Sequence, residues 1–186
     1  MIRFLTHTTT VILATVFLAS GVGSPAVASS DREGDPSRAV FEGTFIDLAA
    51  GWGPAAACAE LGYAVECFRT ERQLLVAHPE LVAEVAPTVN TEVMPASACS
   101  SSLRLYRSTG YGGSALYLTT RSVVQNLSSF GFDNDTSSYR VGACSAAFYS
   151  GANLSGSQYP GSTGANASAS SMASGWDNVV SSVIIF

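Results

Sequence analysis

The chain has 186 residues, with nine arginines, no lysine and fourteen Asp plus Glu, for a formal net charge of −5. That sign argues against nucleic acid or an anionic membrane surface as a partner. The 47% of hydrophobic residues is enough for a real core, and four cysteines suit an exported protein better than a cytosolic one.

Arg3 is the only early charge; an apolar run follows from Val11 to Val22, then Ala26-Val27-Ala28 in the small-x-small form of a signal-peptidase site. Residues 1–28 therefore read as a signal peptide, and the mature chain is expected to be secreted. No later stretch approaches the roughly 20 apolar residues of a membrane span. Residues 29–40 are charged and turn-rich and read as a disordered leader. Phe41 to Leu48 looks like a strand, ending at the Gly51-Trp52-Gly53-Pro54 turn. Thr70-Glu71-Arg72-Gln73 has the form of a capping box, and Leu74, Leu75, Leu81 and Val82 continue at helical spacing until Pro79 breaks or kinks the helix. Residues 41–85 thus form a small α+β segment, and 86–98, with Pro87 and Pro95, read as a linker.

Four cysteines allow three pairings. Cys58 and Cys67 lie symmetrically about Gly62-Tyr63, so a two-residue hairpin turn with glycine first sets them opposite each other. That favours Cys58–Cys67 and leaves Cys99–Cys144, the longer closure, worth about 4 kcal/mol on chain-entropy grounds. No Cys-x-x-Cys occurs and the mature chain holds one histidine, His78, so no zinc site is expected.

Beyond Cys99 the helical period vanishes. Short β-type runs at Leu103–Tyr106, Ala115–Leu118, Tyr139–Val141, Ala146–Tyr149 and Val183–Phe186 alternate with Gly, Ser and Asn. This half is a duplication: Tyr106-x4-Tyr111-x-Gly113 matches Tyr149-x4-Leu154-x-Gly156, and Gly131-Phe132-Asp133-Asn134 matches Gly175-Trp176-Asp177-Asn178. Its only carboxylates are Asp133, Asp135 and Asp177, all inside two hexapeptides of the form Asp-Asn-x-x-Ser-Ser. Carboxylate, amide, hydroxyl and backbone carbonyl oxygens in one short loop suit a hard cation, with calcium the natural candidate.

The order strand, aromatic-x4-aromatic-x-Gly, hairpin, aromatic-Asp-Asn-x-x-Ser-Ser, strand resembles the Greek-key motif of the βγ-crystallin family. The resemblance implies a mainly β fold in which two Greek-key motifs, residues 99–142 and 143–186, form a βγ-crystallin-type β-sandwich behind the α+β segment. It also implies about two calcium ions. By that likeness the ligands are Asp133 or Asn134, the Asp135 carbonyl and the Ser137 hydroxyl in the first loop. In the second they are Asp177 or Asn178, the Val179 carbonyl and the Ser181 hydroxyl, with a hairpin carbonyl from the partner motif completing each site. Ser138 and Ser182 are expected to be structural. The sequence departs from the family pattern at Leu154, where an aromatic is usual, and in the Gly/Ser/Ala-rich stretch 161–174. Because the first loop has two carboxylates and the second one, tighter binding is expected in the first.

Other chemistry finds little support. An EF-hand starting at Asp133 would have Ser138 where glycine is needed and Cys144 in place of glutamate. No Gly-x-Ser-x-Gly elbow occurs, and His78 reads as a surface helix residue, so no enzyme is expected. Trp52 and Trp176 have the chemistry to stack on a sugar, although Trp176, at the place of Phe132, reads as core. The alternative function is a secreted proteinase inhibitor, since crystallin-fold metalloproteinase inhibitors are distantly similar. Its reactive tip would lie in the disulfide-braced stretch Glu60 to Val65, with an extracellular proteinase as partner.

Overall fold

The computed structural model describes residues 35–82 and 102–186. The expected signal peptide, residues 29–34 of the leader, the linker at 86–98 and Cys99 lie outside the described residues. Four strands precede the helix: β1 (Arg38–Phe41), β2 (Thr44–Asp47), β3 (Ala57–Glu60) and β4 (Val65–Phe68), followed by α1 (Glu71–Ala77). Seven follow it: β5 (Leu103–Ser108), β6 (Gly112–Leu118), β7 (Gln125–Asn126), β8 (Ser138–Arg140), β9 (Ala146–Tyr149), β10 (Ser168–Ala169) and β11 (Ser182–Ile185).

The expected hairpin about Gly62-Tyr63 is present. Leu61 N–H donates to the Ala64 carbonyl at 2.9 Å, Gly62 takes the positive φ of 86° that this turn requires, and Cys58 stands opposite Cys67 in the ladder and is bonded to it. Cys144 is also disulfide-bonded; its expected partner Cys99 is outside the described residues. Two expectations need correcting at the N-terminal end. Strand structure is present at Arg38, within the stretch expected to be leader, because Arg38 to Phe41 pair with β2 on one side, and Ala39 to Phe41 with β4 on the other. Phe41 to Leu48 is not one strand, because Glu42 and Gly43, with φ of 49° and 78°, reverse the chain between β1 and β2.

The strands assemble as one eight-stranded sheet, ordered β10-β8-β5-β6-β3-β4-β1-β2, and one three-stranded sheet, β7-β11-β9. Alternation of side chains on β5 and β6 decides the two faces. Leu103, Leu105, Leu116 and Leu118 point into the larger core cluster with Phe148, Val183 and Ile185 of the second sheet, which makes the sandwich. Third strands are exchanged between the two motifs: β7 pairs with β11, and β10 with β8. The eight-stranded sheet also crosses the expected boundary between the two halves, since β3 pairs in parallel with β6 from Ala57 opposite Ala115 to Glu60 opposite Leu118.

The other face of that sheet is covered by α1. Thr70 caps the helix by accepting Gln73 N–H at 3.2 Å, as the capping box requires, and the helix stops at His78, before Pro79 opens a 3-10 turn. Leu74 and Leu81 bury against Ala57, Ala59, Tyr106, Ala115 and Tyr117, each large side chain contributing about 2 kcal/mol by leaving water. Glu71 at the helix start accepts the hydroxyls of both Tyr106, at 3.1 Å, and Tyr117. Burial, reinforced by this carboxylate, pushes both phenols above the ordinary tyrosine range, so they remain neutral donors.

Candidate metal centre in two crossed loops

The duplication extends to single dihedral angles. Gly110 and Asn153 have φ of 68° and 55°, Tyr111 and Leu154 have 62° and 59°, and Gly113 and Gly156 have 73° and 75°. Farther on, Gly131 and Gly175 have 60° and 79°, and Asn134 and Asn178 have 53° and 56°. Asparagine tolerates the left-handed region better than other residues with a Cβ, which suits it to the second place of each hexapeptide. Leu154 holds the same angle as Tyr111 without an aromatic ring. The stretch 161–174 is tied by backbone bonds, Val141 N–H to the Ala167 carbonyl at 2.8 Å and Met172 N–H to the Ser137 carbonyl at 3.0 Å among them.

Ser138 and Ser182 take the structural role expected of them. The Ser138 hydroxyl donates to the Ser108 carbonyl at 2.6 Å and accepts Tyr111 N–H at 3.1 Å. Ser182 repeats both bonds, to the Gly151 carbonyl at 2.6 Å and from Leu154 N–H at 3.0 Å. Each buried hydroxyl pins a folded hairpin onto its own motif.

The loops meet in a crossed arrangement. Ser137 Oγ lies 3.3 Å from Asn178 Oδ1, and Ser181 Oγ lies 3.2 Å from Asn134 Oδ1. The backbone repeats the crossing, with Asn134 N–H on the Val180 carbonyl and Asn178 N–H on the Thr136 carbonyl, both at 3.0 Å. The structure therefore joins the asparagine of one hexapeptide to the serine of the other. Asp133, Asp177, Asn134 and Asn178 are exposed, Asp135 and Val179 are half-buried, and Ser137 and Ser181 are buried. Asn134 Nδ2 also donates to Asp133 at 3.2 Å. Thr136 Oγ1 is buried without a hydrogen-bond partner; its counterpart Val180 shows that the position asks only for a β-branched shape.

This donor set fits a hard cation. Every donor is oxygen, and two oxygens about 2.4 Å from one ion at a right angle lie about 3.4 Å apart, close to the crossed Ser–Asn spacings. Among the described residues no group of three or more His, Cys, Asp or Glu is placed to hold a metal, so serine, asparagine and carbonyl oxygens would have to supply most of the shell.

Arg107 is the feature that sequence reasoning missed. It pairs with Asp135 at 3.1 Å, donates to the Gly131 carbonyl at 2.6 Å, and lies over the rings of Trp52 and Phe132, 5.0 Å from each centroid. Trp52 in turn donates its indole N–H to the Phe130 carbonyl at 2.7 Å. The extra carboxylate of the first loop is thereby offset by a cation, which removes the charge argument for tighter binding there. Nothing in the sequence marks Arg107, because its partner Asp135 lies in a loop farther along the chain.

The remaining candidates resolve as packing. Trp52 is buried, and Trp176, half-buried, meets Tyr159 edge-on at 5.3 Å, so neither offers a free sugar platform. Glu60 is buried and accepts Thr119 N–H at 3.0 Å and Thr120 N–H at 2.9 Å. The braced tip shrinks to Gly62 and Tyr63, the latter 78% exposed. His78 bridges Glu66 at 3.0 Å and Glu80 at 3.1 Å. Burial alone would lower its pKa, but the two carboxylates outweigh that and raise it.

No protein-family model and no curated protein matches the chain. Among solved structures, a βγ-crystallin domain from Flavobacterium johnsoniae aligns over 45% of this chain and 92% of its own, at 25% identity and a TM-score of 0.38. A βγ-crystallin from Ciona intestinalis aligns over 46% and 100%, at 22% identity and a TM-score of 0.38. A βγ-crystallin domain from Clostridium beijerinckii aligns over 46% and 98%, at 18% identity and a TM-score of 0.39. The class follows from the chain's own topology. Two registered Greek-key motifs that exchange their third strands and close on paired Asp-Asn-x-x-Ser-Ser loops define residues 102–186 as a βγ-crystallin-type sandwich.

Proposed function

We propose that this is a secreted, non-enzymatic calcium-binding protein of βγ-crystallin type, in which about two ions tie the two Greek-key motifs together. The observation that carries the reading is the reciprocal Ser137–Asn178 and Ser181–Asn134 crossing, which sets oxygens of both loops at ligand spacing twice. Each ion would draw on the serine of one loop and the asparagine of the other, with Asp133, Asp177 and the Asp135 and Val179 carbonyls as nearby oxygen donors. Bound calcium supplies a divalent charge that draws these oxygens together. A site with so few carboxylates belongs to the weaker, extracellular range of affinities. At 100-fold excess over its dissociation constant each ion adds about 2.7 kcal/mol to stability.

Calorimetry of the mature chain tests this: two binding events are expected, with a calcium-dependent rise in Tm that chelator removes. Because the sites are crossed, Ser137→Ala and Ser181→Ala should each abolish one event while leaving the apo fold intact. Binding in both variants equal to the parent's would mean that the loops are only turns.

A second reading, the proteinase inhibitor, has one observation in its favour. Tyr63 stands 78% exposed on a disulfide-braced two-residue tip, and a braced tip loses little entropy on docking. Tight stoichiometric inhibition of a secreted metallo- or serine proteinase, lost in Tyr63→Ala, is the outcome this reading requires.

A further inference from the structure

On the face of the eight-stranded sheet turned away from the sandwich core, Arg104 of β5 and Arg140 of β8 stand directly opposite each other. Like charges at directly opposed positions of an antiparallel ladder are destabilising. Neither arginine takes part in an ion pair among the described residues. The three carboxylates of this half are committed elsewhere, to the hexapeptides. Arg104 Nε is buried and has no hydrogen-bond acceptor, and an unmet buried donor keeps its full desolvation penalty. Arg140 Cζ lies over the Tyr111 ring, 3.6 Å from its centroid, a contact that does not use its N–H donors.

Both arginines line one small, half-open cleft together with Gly142, Asn166 and Ser168. Ser168 is the ladder neighbour of Arg140, so the row across the sheet runs hydroxyl, guanidinium, guanidinium and then the buried Tyr117 opposite Arg104. The free volume of about 70 Å³ has room for a few waters or one small ion. The lining residues include two arginines, an asparagine and a serine beside the apolar Val141 and Ala167, and one arginine N–H, Arg104 Nε, is buried and unmet.

We propose that Arg104 and Arg140 form a binding site for a tetrahedral oxyanion, phosphate or sulfate, on the face opposite the sandwich core. Planar guanidinium forks match the oxygens of such an ion, and Asn166 and Ser168 supply further polar contacts. The net charge of −5 disfavours a long polyanion, which makes the free ion the expected source and an ester on a sulfated glycan the other source of the same chemistry.

The test uses the mature chain in calcium-free zwitterionic buffer with chelator, so that its result is independent of the loops. Inorganic phosphate is titrated against sodium chloride at matched ionic strength, with Tm and calorimetric binding as readouts. The parent should show saturable one-to-one binding and a rise in Tm. Arg104→Gln and Arg140→Gln should each weaken binding about tenfold or more, whereas Arg121→Gln, outside the cleft, should bind like the parent. Without oxyanion Arg104→Gln should melt no lower than the parent, because the repulsion is relieved, and phosphate should then separate the two. A sulfated glycan that binds more tightly than sulfate, with the gain lost in Arg104→Gln, would support the site and identify the ester source. A phosphate effect no larger than that of chloride, or one equal in the parent and both cleft variants, would overturn the proposal.

Discussion

The first and second Greek-key motifs share a backbone but not a set of supports. In the first, Phe132 is held from outside the motif by Trp52, and Arg107 of β5 lies against both rings and pairs with Asp135. In the second, Trp176 leans on Tyr159 of its own motif, and an uncharged Val179 stands where Asp135 does. The lesson is that left-handed glycine and asparagine positions and a buried serine staple specify this loop, while the aromatic and charged surroundings are free to change. Leu154 makes the same point, since it keeps the geometry of Tyr111 without the edge-on contact that Tyr111 makes with Tyr106 at 5.8 Å.

The comparison is broken most severely by removing the outside support altogether. Residues 99–186 expressed alone should lose cooperative thermal unfolding, because Tyr106, Tyr117 and the β6 edge would be uncovered; circular dichroism melting of the fragment checks this. A parent-like melt would show that the N-terminal strands are dispensable. A finer break uses the paired glycines. At Gly131 an added Cβ would overlap the Leu48 carbonyl oxygen, whereas at Gly175 it would meet nothing within 4 Å. Urea denaturation should show Gly131→Ala losing about 2–4 kcal/mol, from backbone strain plus overpacking, and Gly175→Ala about 1 kcal/mol, from strain alone.

Arg107→Gln sharpens the comparison at the loops. It leaves Asp135 uncompensated, so calcium affinity should rise in one site and not the other, by about tenfold or less, as read by calorimetry. Stability without calcium should fall at the same time, because the variant loses the cation that lies against Trp52 and Phe132. The smallest effect concerns the helix end. The pKa of His78 is raised in the fold, so its contribution is fully present below the unfolded value of about 6.5 and is lost as pH rises through the folded value. A His78→Gln variant should therefore show a flatter dependence of Tm on pH across this window than the parent, with the parent's advantage on the acid side.

Much of this was legible in the sequence, for local reasons. The capping box at Thr70, the glycine-first turn at Gly62 and the repeated hexapeptides each act through neighbours within a few residues, so their patterns survive in one dimension. What could not be read depends on partners far along the chain. Nothing in Ala57-Cys58-Ala59-Glu60 announces a parallel pairing with Ala115 to Leu118, and small apolar residues next to a disulfide look equally at home in a separate unit. The crossing of Ser137 with Asn178 was hidden for the same reason: the hexapeptides show the donor types but not which loop supplies each. Arg107 was invisible because its role exists only where Trp52, Phe132 and Asp135 converge.

The parallel seam between β3 and β6 also sets an order of events in time. The Cys58–Cys67 hairpin closes through a two-residue turn and can form as soon as its own residues are free. Its outer neighbour in the sheet, Ala115 to Leu118, belongs to a later part of the chain, and the loop-closure entropy of such a non-local contact must be met before any contact is gained. During synthesis, where the N-terminal end emerges first, the hairpin is therefore a finished piece waiting for its edge. In pulse-labelled hydrogen exchange its internal amides should be protected before those of the seam. Premature exposure of that bare strand to a second chain is the hazard that early closure of the disulfide does nothing to prevent.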